Sequence, residues 1–129
     1  MKKIILVTVA LLLVVVGLAY AGGPEFTQKA GNYTVAAKFE RNPSVGNNNV
    51  EIAVTDATGS RITDATVKVD YSMPAMPGMP AMNYKTDAAL SGQKYTATVN
   101  PSMSGAWNFA IKITRGGKTS TVKFNVDVQ

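Results

Sequence analysis

The chain has 129 residues, 13 of them basic and 8 acidic, and a formal net charge of +5. This length suits a single domain, and scattered basic residues without an aromatic-basic stripe argue against nucleic-acid binding. The chain contains no histidine and no cysteine, which excludes disulfides and argues against a conventional tetrahedral zinc site. The usual general bases and thiol nucleophiles are therefore missing as well, and we expect a protein that is not an enzyme.

The first 21 residues predict a secretory signal peptide. Lys2 and Lys3 precede an apolar run over residues 4–18, and a small-x-small sequence, Ala-Tyr-Ala, ends at residue 21. We expect cleavage there and export to the periplasm or the extracellular space. The alternative is a membrane anchor formed by residues 4–21, since the apolar run almost reaches the length of a membrane span.

After residue 21, the sequence predicts a short lead-in segment over residues 22–31 and one domain over residues 32–129. Apolar and polar residues alternate in seven stretches, which is typical of half-buried strands. These stretches lie near residues 33–39, 50–55, 65–71, 84–90, 93–99, 106–114 and 119–128. Turn sequences separate them, and no stretch has the period of a helix. The pattern predicts an all-β, immunoglobulin-like antiparallel β-sandwich of about seven strands, with Trp107 in its core.

Residues 73–82 interrupt this pattern with the sequence Met-Pro-Ala-Met-Pro-Gly-Met-Pro-Ala-Met. Four of the six methionines of the chain lie here, each three residues from the next. The prolines hold the preceding methionines at β or polyproline II angles. Since polyproline II has three residues per turn, this predicts Met73 and Met76 on one edge of the chain.

A turn is predicted at the centre of this stretch. Pro77 and Gly78 occupy the positions that favour a type II turn between Met76 and Met79. The two legs would then fold back on each other, with the first and last methionines facing. Two to four sulfur atoms would converge at the tip.

Thioether sulfur is a soft ligand that favours Cu(I) and similar ions, and it binds without losing a proton. The candidate metal ligands are Met73, Met76, Met79, Met82 and, in a later loop, Met103. Two other interpretations remain open for the same residues. Methionine fills irregular apolar gaps, and a Met/Pro loop also suits an apolar contact with another protein.

The order of the motifs resembles the YtkA-like domain family, which is related to FixH-type proteins. The resemblance lies in Met-Pro-x-Met-Pro-Gly-Met after the third strand, in Gly92-x-x-Tyr95, in Met103-Ser-Gly105-Ala-Trp107 and in the closing alternating strand. It covers roughly residues 31–129.

The resemblance implies an exported or membrane-attached immunoglobulin-like domain, of a kind found with heavy-metal efflux adaptors or copper-oxidase assembly systems. It points to Cu(I) as the bound ion and to the same five methionines as ligands. A membrane-bound efflux or oxidase-assembly complex is the expected partner, and a monomer is the expected state. The alternative is a binding module whose Met/Pro loop docks on a membrane complex without any metal.

Overall fold

The computed structural model describes residues 23–129, and the predicted signal peptide lies outside them. This part of the chain forms eight antiparallel strands. They are β1 (Glu25–Ala30), β2 (Tyr33–Phe39), β3 (Asn48–Thr55), β4 (Thr66–Met73), β5 (Met82–Ser91), β6 (Lys94–Val99), β7 (Gly105–Arg115) and β8 (Lys118–Val128). The predicted all-β sandwich is confirmed. No helix within these residues is long and apolar enough to cross a membrane.

The strand number is eight because the segment interpreted as a lead-in forms β1, which pairs with β2 from Glu25 to Ala30. Its side chains are mostly exposed, so the sequence lacks the alternation by which the other strands were predicted. Phe26 is the exception, since its ring stacks on Phe124 of β8 with 4.7 Å between ring centroids. This contact closes the open side of the sandwich.

The strands follow the order β1-β2-β3-β6-β5-β4-β7-β8. The strand β5 connects the two layers, because its first part pairs with β4 and its last three residues pair with β6. One layer therefore contains β1, β2, β3 and β6, and the other contains β4, β7 and β8. Inward residues alternate with outward ones along the central strands, as a period of two requires.

The core lies between the layers and contains the predicted apolar residues. Trp107 has no exposed surface, and Phe39, Phe109 and Ile52 are likewise buried. The hydroxyl group of Tyr95 donates to the carbonyl oxygen of Ile62 at 3.0 Å, and it accepts a bond from a backbone N–H at 3.1 Å. The buried hydroxyl group of Tyr95 therefore has two hydrogen-bond partners, as is usual for buried polar groups.

Three loops meet at one end of the sandwich, which we call the methionine end: residues 40–47, 74–81 and 100–104. The backbone N–H of Gly46 donates to the carbonyl oxygen of Pro101 at 3.2 Å, and the backbone N–H of Asn100 donates to the hydroxyl oxygen of Tyr71 at 2.9 Å. The chain also enters the described domain here, since the N–H of Gly23 donates to the carbonyl oxygen of Phe39 at 3.0 Å.

Candidate metal site

The methionine hairpin, residues 73–82, contains the predicted turn. The N–H of Met79 donates to the carbonyl oxygen of Met76 at 2.8 Å, and the reverse bond is 3.0 Å long. Gly78 has φ of +81°, the value expected at the third position of a type II turn. Pro77 before it holds φ negative, which excludes the turn types with a positive φ at that position. The predicted turn is confirmed.

The two legs of the hairpin fold back as predicted. Met73 on β4 and Met82 on β5 are register partners, so they face each other across the base of the hairpin. Met76 and Met79 form an isolated bridge at its tip. Directly opposed residues in an antiparallel pair have Cβ atoms about 4.5–5.5 Å apart. The hairpin therefore presents two facing pairs of methionines.

Burial separates Met73 from Met76, and here the structure differs from the sequence prediction. Met73 is only 3% exposed and belongs to the core, whereas Met76 is 43% exposed. The two were expected on one edge of a polyproline II helix, which repeats every three residues. Met73 is the last residue of β4 and keeps the inward alternation of that strand, whereas residues 74 and 75 belong to no strand and carry the chain out to Met76 at the tip.

Met73 is held in the core by the shape of β7. Gly105 has φ of +131°, and a Cβ atom built on it would lie 3.0 Å from the Cε atom of Met73. The methionine side chain thus occupies the space that a side chain at position 105 would fill. This position makes Met73 a packing residue, although the sequence had placed it among the candidate ligands.

Met82 and Met103 lie half-buried against the core at the methionine end. The sequence left open at which end of the sandwich Met103 lies. The indole N–H of Trp107 donates to the carbonyl oxygen of Met103 at 2.9 Å, which holds the 100–104 loop over the sandwich opening. The structure therefore brings four candidate ligands, but not Met73, to accessible positions at one end.

Two hydroxyl groups that the sequence analysis did not single out lie beside Met82. Ser102 Oγ donates to the sulfur of Met82 at 3.2 Å, and it lies 3.1 Å from the hydroxyl oxygen of Tyr84. Neither residue belongs to a recognisable motif. Tyr84 becomes noticeable only through the strand register, which pairs it with Tyr71.

Two further aromatic rings pack against Tyr84, whose hydroxyl group lies next to Ser102. The ring of Tyr84 stacks on Trp107 with centroids 5.9 Å apart, and it lies 5.4 Å from the ring of Tyr71. Because Trp107 is fully buried and its indole nitrogen donates to Met103, this stacking anchors the ring of Tyr84 to the core.

The hairpin itself contains no ionisable side chain. Within residues 23–129, no group of three or more His, Cys, Asp or Glu side chains is placed to hold a metal ion. A polar cavity of about 150 Å³ lies nearby, between Glu40, Arg41 and the 42–49 segment. Its Asn48 side chain bonds to backbone groups of Ser44 and Gly46 at 2.7–3.0 Å and serves to brace the loop.

Comparison with known proteins gives one positive result. A family model described as YtkA-like matches residues 27–112, which is more than half of the chain. No curated protein matches.

Proposed function

The chain belongs to the YtkA-like family, and from this premise we propose that it is an exported carrier of Cu(I) or Ag(I). The ion would bind to the methionine hairpin and pass by ligand exchange to a partner, for which a membrane-bound efflux or oxidase-assembly complex is proposed. The protein acts in this proposal as a binding protein, without catalysis. The observation that supports it most directly is the pair formed by Met76 and Met79.

This pair combines three properties that a transfer site for a soft ion needs. The two residues are opposed through two backbone hydrogen bonds of 2.8 and 3.0 Å, which fixes the spacing of their Cα atoms. Met76 is 43% exposed and Met79 is half-buried, so a partner can reach them. Thioether donors suit Cu(I) and Ag(I), and two of them leave room for a ligand from the partner.

Met82 and Met103 are proposed as further donors behind the tip. Both are half-buried at the same end of the sandwich, and Met103 directly follows Ser102, the residue bonded to the sulfur of Met82. Since no donor has to lose a proton, binding would not compete with protons in the way that cysteine and histidine sites do.

The test is a titration with Cu(I) or Ag(I) of the protein purified after expression from its full-length sequence. Methionine methyl signals are followed by NMR. The methyl signals of Met76 and Met79 are expected to shift at near-equimolar metal, while that of Met73 stays in place because its side chain fills the core. Unmoved methyl signals at equimolar metal would refute the carrier function.

A second candidate function is a docking module without metal, and the exposure of Val45 (50%) and Met76 (43%) at the methionine end favours it. Replacing Met76 and Met79 with leucine separates the two functions. Leucine preserves apolar contact but removes the sulfur, so docking survives and metal binding is lost. Met73→Leu is the matched control, since a core exchange of similar volume leaves metal binding intact.

A further inference from the structure

The sulfur atom of Met82 accepts a hydrogen bond from a neighbouring loop. Ser102 Oγ donates to it at 3.2 Å. A thioether sulfur has two lone pairs and is a weak hydrogen-bond acceptor, and the lone pair that accepts this bond is no longer free for a metal ion. The hydroxyl group of Ser102 therefore competes with an ion that approaches this lone pair of Met82.

Tyr84 offers this hydroxyl group a second acceptor. The two hydroxyl oxygens are 3.1 Å apart, and a hydroxyl group donates one hydrogen bond and accepts two. While Ser102 donates to Met82, Tyr84 donates to Ser102. When an ion binds the sulfur, the hydroxyl group of Ser102 donates its hydrogen bond to the oxygen of Tyr84 instead. The side chain of Tyr84 is 36% exposed, so its own hydroxyl group then donates to water. No proton leaves the protein in this exchange.

We propose that Ser102 caps the sulfur of Met82 with this hydrogen bond, and that Tyr84 accepts the hydrogen bond of Ser102 when an ion displaces the cap. Together they set the affinity of the site for a soft ion. This inference rests on the proposed function, and it assigns roles to two residues that supply no sulfur. Both are positioning residues, because each acts on the ion through Met82.

Three variants test the arrangement: Ser102→Ala, Tyr84→Phe and the double variant. The probe is Ag(I), with affinity measured by competition against a chromophoric chelator. Ser102→Ala removes the competitor and is expected to tighten binding roughly two- to five-fold, the size of a partly exposed hydrogen bond. Tyr84→Phe keeps the stacked ring but removes the second acceptor, and it weakens binding by a similar factor.

The double variant gives the decisive comparison, because the effect of Tyr84→Phe depends on the presence of Ser102. The Ag(I) affinity of the double variant is expected to match that of Ser102→Ala alone, which is a non-additive result for two residues in contact. Ser104→Ala is the matched control, since this serine is exposed in the same loop. Additive effects, or equal affinities in all variants, would overturn the inference.

A second measurement needs no metal. Hydrogen peroxide oxidises a thioether to the sulfoxide when sulfur attacks one peroxide oxygen: the S–O bond forms, the O–O bond breaks, and the proton of the transferred oxygen passes to the other oxygen, which leaves as water. A hydrogen bond to sulfur slows this attack, so Ser102→Ala speeds oxidation of Met82 but not of Met76.

Failure of Ag(I) to bind any variant would overturn the proposed function and the affinity role. A faster Met82 oxidation would still establish the cap, and an unchanged rate would refute it.

Discussion

At the scale of single residues, burial decides which methionine packs and which is available for binding. The same side chain fills the space beside Gly105 at position 73 and is 43% exposed at position 76. Between these extremes, Met82 has one side against the core and its sulfur bonded to Ser102. Methionine suits all three environments because it is flexible and apolar. Its sulfur matters chemically only where a ligand can reach it.

Trp107 packs in the core beside Tyr84, and its replacement by alanine is expected to cost about 3–5 kcal/mol in the free energy of unfolding. The residue is fully buried and donates to the carbonyl oxygen of Met103. Denaturant unfolding measures the loss. Trp107→Phe is the control, and it should cost less because it retains a ring and loses mainly the indole hydrogen bond. A loss under about 1 kcal/mol for the alanine variant would contradict the assignment to the core.

At the scale of elements, the turns show how local sequence fixes geometry. Pro77 and Gly78 specify the tip of the methionine hairpin, and Gly78 adopts the positive φ that the turn requires. At the other end of the sandwich, Asp56 organises the turn after β3. Its Oδ1 atom accepts bonds from the hydroxyl group of Thr58 at 2.6 Å and from the backbone N–H groups of Thr58 and Ser60 at 2.9 and 3.0 Å.

These bonds favour the charged carboxylate, and the one from the Thr58 hydroxyl group lowers the pKa of Asp56 most. A lowered pKa in the folded state stabilises the protein above the unfolded pKa of about 3.9. This contribution is lost as the pH falls through the lower folded value. Free energies of unfolding measured between about pH 5 and pH 2 should therefore decrease more for the wild type than for Asp56→Asn. Identical slopes would refute the prediction.

At the scale of the whole molecule, two layers are joined on one side by β5 and closed on the other side by a contact between β1 and β8. The strand β5 changes partners along its length, from β4 to β6. On the opposite side, the ring of Phe26 stacks on Phe124 and meets Phe39 edge-on at 6.0 Å. The sandwich is thereby stabilised without a disulfide, in a chain that has no cysteine.

This closure predicts that Phe26→Ala lowers the free energy of unfolding by about 2 kcal/mol. The value is below that for a fully buried phenylalanine, because Phe26 is half-buried on an edge strand. It still includes the loss of two aromatic contacts. Thr27→Ala on the exposed face of β1 is the control and should change little. Equal stabilities of the two variants in denaturant unfolding would show that β1 does not close the sandwich.

Much of this architecture is determined by the sequence alone. A period of two in the apolar residues specifies the central strands, and the Pro-Gly pair specifies the tip turn, because both depend only on neighbouring residues. The same local rules bring Met73 opposite Met82. The strand β1 escaped prediction because an edge strand exposes most of its side chains and so lacks alternation.

Only the tertiary structure decided which methionines are accessible and what lies beside them. Met73 is buried because β7 provides space at Gly105, a residue 32 positions away in the chain. Ser102 reaches the sulfur of Met82 because the loop before β7 closes over the start of β5. Such contacts depend on strand order and loop packing between distant segments, which a local pattern of residues does not encode.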